Sequence, residues 1–212
     1  YLVSQILFPL GAAGGVVMAF AGFIALGDQP GTLVLPLGLP DLPFHLRLDA
    51  LSAFFLIILG SVSAAISVFS AGYFRAGEGA SPGLLCLRYH VFLASMALVL
   101  LADDAYLFMM AWETMALSSY FLVTTQHRIA EIRRAGFLYL LIAHVGAVGI
   151  LLSFGVLQGG GGDYTFATMR DARPSEFLAS AAFLLALFGF GAKAGLLPLH
   201  IWLPEAHPAA PS

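Results

Sequence analysis

The sequence predicts an all-α polytopic membrane protein, and three observations support this fold class. Of the 212 residues, 60% are hydrophobic and only 10% are charged, whereas a soluble domain carries about a quarter charged residues. The mean hydropathy is +0.92. Six apolar stretches approach the roughly 20 residues that a helix needs to cross a bilayer. We therefore place the chain in a membrane.

The six stretches predict six transmembrane helices within a single transmembrane domain, residues 1–212. The chain begins without a methionine and ends in a proline-rich stretch. We therefore expect a fragment of a longer polytopic membrane protein. The predicted spans cover residues 2–26, 50–73, 84–102, 105–125, 137–157 and 177–197.

The connections between these spans differ in character. Residues 27–48 alternate leucine and valine with proline and glycine, which predicts an extended or hairpin segment outside the membrane. Asp103 and Asp104 predict a very tight turn. Residues 158–176 open with a glycine run, which predicts a flexible turn, and end where Ser175 can cap the last long helix.

The charges of the connections predict the side of the membrane that each one faces. Loops 74–88 and 125–136 carry five arginines, whereas the alternate connections carry three arginines and most of the acidic residues. Positively charged loops tend to remain on the cytoplasmic side. We therefore expect these two loops in the cytoplasm and the Asp103–Asp104 turn on the opposite side.

Several function classes lack support in the sequence. The net charge is −3 and the basic residues form no long cluster, so nucleic-acid binding is not indicated. The single cysteine, Cys86, excludes an internal disulfide and offers no metal set. The glycines of "GFGAKAG" (189–195) have the wrong spacing for a dinucleotide loop and favour close helix packing. We expect no cofactor and no metal in this chain.

Glu113 lies deep inside the fourth predicted span. Counting from Asp104, nine residues at ~1.5 Å each place it about 14 Å from the outer edge, near the middle of a core ~30 Å thick. A carboxylate there is costly and commonly marks a function. The alternative is a structural glutamate that is hydrogen-bonded to a neighbouring serine or tryptophan.

Lys193 lies near the end of the last predicted span, shortly before Pro198. Pro198 removes a backbone donor and breaks the helix, and irregular backbone at membrane depth is tolerated where it lines a cavity or is buried in protein. A lysine beside a broken helix is typical of a transport path. The alternative is a lysine that reaches the membrane surface and acts as an anchor.

Two histidines extend the set of candidate proton carriers. His144 lies towards the middle of the fifth span, and an imidazole that titrates near neutrality suits proton transfer between Glu113 and Lys193. It is also compatible with an ordinary hydrogen-bonded packing residue. His200, which follows Pro198, either extends the relay or bonds a carbonyl freed by the helix break.

Several segments resemble one known family. The segments "RLDALSAFF", "WETMALSSYFLV", "GFLYLLIAHVG" and "GFGAKAGLLPLHIWLPEAHPAAPS" are similar to the antiporter-like membrane subunits of the respiratory complex I superfamily. Within that superfamily they look most like the large membrane subunit of hydrogenase-4 and formate hydrogenlyase. The resemblance covers residues ~45–212, and the first span matches only in hydropathy.

The resemblance implies a fourteen-helix fold with two inverted five-helix repeats, of which this chain would hold most of the first. Glu113 matches the family's key glutamate, and Lys193 matches the lysine on its broken helix. His144 stands where some relatives have an arginine, so its role carries over less directly.

The resemblance also implies a function and partners. Proton translocation would be coupled to electron transfer in a peripheral redox arm, of the hydrogenase or the NADH:quinone type. Other membrane subunits would accompany the chain in the plasma (inner) membrane of a bacterium or archaeon. A stand-alone or multi-subunit Na⁺/H⁺ antiporter and a purely structural membrane anchor are the alternatives.

Overall fold

The computed structural model describes residues 3–73 and 81–210. By their internal packing these residues fall into two compact units, Tyr1–Ala102 and Asp103–Ser212. Part of the predicted loop 74–88, including Arg75 and Glu78, lies outside the described residues. The two units are described separately below.

The first unit contains three long helices and a β-hairpin. A π-helical turn, Val3–Leu7, leads directly into the first α-helix. Short segments join the remaining elements, in the order α1 Phe8–Ala25, β1 Gly31–Leu39, β2 Leu42–Leu48, α2 Ala50–Tyr73 and α3 Pro82–Leu101.

Small residues bring α1 and α2 into close contact. A Cβ atom added at Gly60 would lie 2.5 Å from the Gly15 carbonyl oxygen, so the two backbones nearly touch. The Ser63 hydroxyl donates to the Gly60 carbonyl, so its hydrogen bond is made within α2 itself. Large apolar side chains cover the outer surfaces of both helices, as expected where the solvent is lipid rather than water.

The predicted hairpin in residues 27–48 is confirmed. β1 and β2 pair antiparallel from Gly31 opposite Leu48 to Leu39 opposite Leu42, with an irregularity between Leu35 and Gly38. The turn uses the left-handed conformation at Asp41, whose φ is 66°.

Asp49 marks the start of α2. Its carboxylate accepts from the Ser52 amide at 3.0 Å, and Arg47 lies 3.3 Å away. The Ser52 amide, followed by weaker contributions that include Arg47, holds the pKa of Asp49 below its usual value. The carboxylate is therefore an effective helix cap at neutral pH.

The described part of the second unit, residues 103–210, contains five α-helices and a short 3₁₀ segment. Its elements are, in chain order, α4 Ala105–Val123, α5 Ala130–Gln158, α6 Phe166–Asp171, α7 Glu176–Ala194, a 3₁₀ turn Leu199–Trp202 and α8 Leu203–Ala209.

Capping residues define where these helices begin. Asp104 accepts from the Leu107 amide at 2.6 Å and starts α4, which accounts for the tight turn predicted at this point. Ser175 accepts from the Leu178 amide and starts α7, as predicted. Thr165 caps the short helix α6, which the sequence did not predict.

Glycines on α5 and α7 bring these helices together at the level of the candidate site. A Cβ atom at Gly189 would lie 2.5 Å from the Gly146 carbonyl oxygen and 2.6 Å from a side-chain carbon of Ile150. The Ser153 hydroxyl of α5 donates to the Ala182 carbonyl of α7 at 3.0 Å. The two helices are therefore held at a close and specific distance.

The break after α7 begins earlier than the sequence predicted. Instead of continuing to residue 197, α7 ends at Ala194, and Gly195 adopts a left-handed conformation with φ of 74°. The Leu196 amide donates to the Gly191 carbonyl, which closes the helix end. The Leu197–Pro198 peptide is cis, and the chain then enters the 3₁₀ turn and α8.

Each of the six predicted spans contains a helix. Among the described residues, five helical segments are long and apolar enough to cross a membrane: Gln5–Ala25, Ala50–Tyr73, Pro82–Leu101, Ala130–Gln158 and Glu176–Ala209. α4 has sufficient length, but Glu113 and its hydroxyl-bearing residues make it less apolar. It remains part of the same membrane fold because it packs against α5.

The start of α5 departs from the prediction. The helix begins at Ala130, seven residues before the predicted start at 137, so Arg133 and Arg134 lie on its first turns rather than in a loop. Polar residues such as these form helix readily outside an apolar core, and hydropathy alone does not detect this extension.

Candidate functional site

Glu113 and His144 form a pair between α4 and α5. The Oε2 atom of Glu113 lies 3.4 Å from Nε2 of His144, and the two side chains are 32% and 48% exposed. Both side chains are therefore partly exposed on the surface of this unit. The partner of Glu113 is therefore an ionisable histidine. A purely structural glutamate was expected to bond a neighbouring serine or tryptophan instead.

The other nitrogen of the His144 ring determines how the pair can hold protons. Nδ1 lies 3.1 Å from the Leu140 carbonyl oxygen of the preceding turn. A carbonyl oxygen only accepts hydrogen bonds, so Nδ1 carries a proton. In neutral His144, Nε2 would then present a lone pair to Glu113. A hydrogen bond between Nε2 and Oε2 consequently needs one proton, on the carboxyl or on the imidazole.

Lys193 has a different partner. Its ammonium nitrogen donates to the hydroxyl of Tyr139 on α5 at 2.8 Å, and Tyr139 is only 3% exposed. The same nitrogen lies 4.9 Å from the centre of the Tyr139 ring and 6.0 Å from that of Trp112. These aromatic faces stabilise a cation. Among the described residues, no ion pair joins Lys193 to Glu113.

Trp202 connects the segment after the helix break with the end of α7. Its indole N–H donates to the Ala192 carbonyl at 2.9 Å, one residue before Lys193. Its ring meets that of Tyr139 edge to face, with centroids 5.2 Å apart. Trp202 therefore satisfies a carbonyl near the end of α7 and also packs against the residue that holds the lysine.

Trp112 is fixed by other aromatic rings. It stacks on Phe108 at 5.4 Å between centroids and meets Phe190 of α7 edge to face at 5.6 Å. These contacts fix the position of Trp112, which directly precedes Glu113 and whose ring faces the Lys193 nitrogen.

His200 lies in the 3₁₀ turn that follows Pro198. Its Nδ1 atom is buried and has no hydrogen-bond partner among the described residues. His200 is thus close in sequence to the helix break but has no described contact with Lys193. Pro198 itself lies in the exposed part of the break.

The predicted residues do not form one continuous chain, because Glu113 pairs with His144 whereas Lys193 pairs with Tyr139, a residue that was not predicted. Tyr139 and His144 are five residues apart on α5, which is about 140° around the helix axis and ~7.5 Å along it. One face of α5 therefore carries the Glu113–His144 pair, and another carries the Tyr139–Lys193 pair. The helix α5 is common to both.

Sequence reasoning missed Tyr139 and Trp202. The available signal was weak, since an aromatic residue with a polar group in an apolar segment commonly serves packing or an interface. Assigning these two residues required knowing which face of α5 meets α7. Within the described residues, no group of three or more metal-ligating side chains is present.

Two family models match the sequence. The model described as NADH:quinone oxidoreductase/Mrp antiporter, TM, matches residues 102–212. The model of the N-terminus of chain 5 of NADH-ubiquinone oxidoreductase (complex I) matches residues 35–81. The first match contains every candidate residue described above.

Individual proteins resemble the chain over most of its length. Hydrogenase-4 component B of Escherichia coli (strain K12) is 45% identical over 167 residues, which are 79% of this chain and 25% of that protein. NADH-quinone oxidoreductase subunit L of the same strain is 29% identical over 202 residues, 90% of this chain and 33% of that protein. The chain therefore spans between a quarter and a third of the length of these two relatives.

A solved structure has the same fold. A chain of the membrane-bound sulfane sulfur reductase, an archaeal respiratory membrane complex, superposes with a TM-score of 0.80 at 18% sequence identity. The match covers 99% of this chain and 45% of that one.

Proposed function

The chain belongs to the family described as NADH:quinone oxidoreductase/Mrp antiporter, and on that premise we propose that it translocates protons as an antiporter-like subunit of a redox-driven membrane complex. Glu113, His144 and Lys193 are the proposed proton carriers. The observation that supports this most directly is a hydrogen bond. The ammonium of Lys193, in the last turn of the broken helix α7, donates to the phenol of Tyr139 on α5.

The two pairs have complementary charge properties. The Glu113–His144 pair with one shared proton has no net charge, whether the proton is on the carboxyl or on the imidazole. It can gain one proton and become cationic, or lose one and become anionic. Lys193 carries one positive charge when protonated. A proton that arrives at the pair therefore changes the electrostatic field that acts on Lys193.

This coupling provides a physical route for release. While Glu113 is ionised and His144 is neutral, the negative charge of the pair favours the protonated form of Lys193. A proton taken up by the pair, or movement of Glu113 away from Lys193, removes that support and favours loss of the lysine's proton towards the remainder of the path. His200 is a secondary candidate for carrying the proton towards this exit, and Pro198 contributes by breaking the helix beside it.

We further propose that partner subunits drive this change through electron transfer. Relatives bear the names of hydrogenase and NADH-quinone oxidoreductase components, which supports a peripheral redox arm and other membrane subunits as partners. The proposed location is the plasma (inner) membrane of a bacterium or archaeon. Redox cofactors would belong to the partner subunits rather than to this chain.

The test uses the complete subunit that contains this chain, assembled in its native complex and reconstituted in vesicles. Lys193→Met keeps an unbranched side chain of similar length, but the methionine thioether cannot carry a proton. We expect proton translocation to fall by about a hundredfold or more, the scale on which acid–base groups act. A pH-sensitive dye inside the vesicles measures the rate.

A matched control separates transport from folding. Arg170→Met also removes a cation from this unit, but Arg170 lies on α6, 57% exposed and 3.7 Å from Asp103. It should leave the rate close to that of the wild type. A Lys193→Met complex that translocates protons normally would contradict the proposed function.

The family description also names the Mrp antiporter, which supports a second candidate, a Na⁺/H⁺ antiporter subunit. In that case translocation would depend on sodium and proceed without a redox partner. A sodium titration of the vesicle assay, with and without the electron donor, separates these two candidates.

A further inference from the structure

Tyr139 is the residue that holds Lys193, and its chemistry suits a lysine that repeatedly loses and regains a proton. The phenol oxygen accepts from the lysine nitrogen at 2.8 Å. A phenol is both an acceptor and a donor, because its O–H rotates and its oxygen has lone pairs. An ionised carboxylate, by contrast, can only accept.

The two roles correspond to the two protonation states of Lys193. When the lysine is an ammonium, it has three donors and no acceptor, and the phenol oxygen accepts. When the lysine is a neutral amine, its nitrogen has a lone pair, to which the phenol O–H can donate. A carboxylate in this position would support only the ammonium and would resist release of the proton.

We propose that Tyr139 is a positioning residue for proton transfer, which keeps Lys193 hydrogen-bonded and in place in both of its protonation states. This role rests on the proposed function, since it matters only if Lys193 titrates during transport. No bond other than the hydrogen bond is made or broken at Tyr139, and the phenol keeps its own proton throughout the cycle.

The surroundings of Tyr139 support a fixed geometry. The residue is 3% exposed and packs in a cluster with Ala116, Ala143 and Ala206. Trp202 presses edge-on against its ring and at the same time bonds the Ala192 carbonyl, next to Lys193. Because the ring is packed on several sides, its orientation is restricted and its oxygen stays directed at the lysine nitrogen.

Several ionisable groups lie on other elements that pack around Tyr139, namely α4, the 3₁₀ turn and α8. Glu113 on α4 is engaged by His144, and His200, Glu205 and His207 lie on the 3₁₀ turn and α8. Of these groups and Tyr139, only Tyr139 has a described hydrogen bond with the lysine nitrogen.

The first variant is Tyr139→Phe, which keeps the ring and removes the oxygen. The hydrogen bond to the ammonium is then lost, so we expect translocation to fall by about tenfold or more. Tyr120→Phe is the matched control, because Tyr120 packs against the same cluster and has no described hydrogen bond or cation–π contact with Lys193. It should translocate protons at the wild-type rate.

The second variant replaces Tyr139 with 3-fluorotyrosine, which folds in the same way but has a more acidic phenol. Such a phenol is a stronger donor and a weaker acceptor, and therefore favours the neutral lysine. The high-pH limb of the translocation profile should move to lower pH. A residue that only fills space would not produce this shift.

The outcomes separate this role from the proposed function. If Lys193→Met abolishes translocation while Tyr139→Phe runs at the wild-type rate, the role of Tyr139 is overturned and the proposed function stands. The role of Tyr139 is also overturned if Tyr139→Phe translocates protons slowly but the pH profile of the 3-fluorotyrosine variant does not shift. That combination would indicate that Tyr139 only contributes to packing. Normal translocation by Lys193→Met overturns both.

Discussion

At the scale of single residues, the candidate site is defined by which atoms can give or accept a proton. The Leu140 carbonyl fixes the proton on Nδ1 of His144, so Nε2 and Glu113 must share one proton to form a hydrogen bond. Backbone geometry on α5 thereby sets the chemistry of a carboxyl group on α4. This dependence predicts how an amide at position 113 will behave.

Glu113→Gln should separate hydrogen bonding from proton transfer. The glutamine amide can donate to Nε2 of neutral His144, so the contact between α4 and α5 is preserved, but the amide does not take up a proton. We expect normal assembly and a loss of translocation of about a hundredfold, measured in the vesicle assay.

Glu205→Gln is the control for this change. Glu205 lies exposed in the first turn of α8, in the same unit, and its replacement should leave the rate unchanged. Normal coupling in Glu113→Gln would remove this glutamate from the mechanism.

At the scale of helices, contact between glycines sets the position of the lysine. Gly189 lies four residues, about one turn, before Lys193 and meets α5 at Gly146 and Ile150. The distance between α5 and α7 therefore determines whether the Lys193 nitrogen can reach the Tyr139 oxygen. Any side chain at Gly189 separates these helices.

Gly189→Ala should destabilise the unit. The added Cβ would lie 2.5–2.8 Å from the Gly146 oxygen and from atoms of Ile150, and overpacking of this kind costs about 1–3 kcal/mol. We expect a lower melting temperature in detergent and slower translocation. Gly155→Ala, on α5 with nothing within 4 Å of the new atom, should be neutral or slightly stabilising. Equal stability of both variants would contradict this packing.

The same scale shows what sequence can predict. Hydropathy predicts α2 well, and the predicted range 50–73 coincides with Ala50–Tyr73. The prediction succeeds because the apolar composition changes sharply at both ends of this helix. It fails at the start of α5, where helix continues through a polar stretch. It also fails to predict α6, which is too short to have a clear periodicity.

The candidate site was only partly predictable for a related reason. Glu113, His144 and Lys193 stand out in the sequence because charge is costly in apolar spans. Their pairing depends on the rotation of α4, α5 and α7 about their axes, which the weakly amphipathic sequences do not specify. The sequence predicted His144 as a relay between Glu113 and Lys193, whereas the structure pairs His144 with Glu113 and Lys193 with Tyr139.

At the scale of the whole chain, the candidate acid–base groups are unevenly distributed between the two units. Glu113, His144, Lys193 and Tyr139 all belong to Asp103–Ser212. In Tyr1–Ala102, His90 on α3 donates from Nδ1 to the Cys86 carbonyl at 2.8 Å and packs against Phe8 and Tyr89. These contacts indicate packing rather than proton transfer.

His90→Gln tests whether proton translocation depends on the second unit alone. The amide can still donate within the helix, so the expected loss is about 1 kcal/mol of stability from the missing ring contacts. Translocation should remain close to the wild-type rate, in contrast to the large losses expected for Lys193→Met and Glu113→Gln. The vesicle assay and the melting temperature, measured on the same preparation, distinguish the two effects. A His90→Gln complex that is stable but inactive would show that the first unit also carries protons, because a packing role cannot account for such a loss.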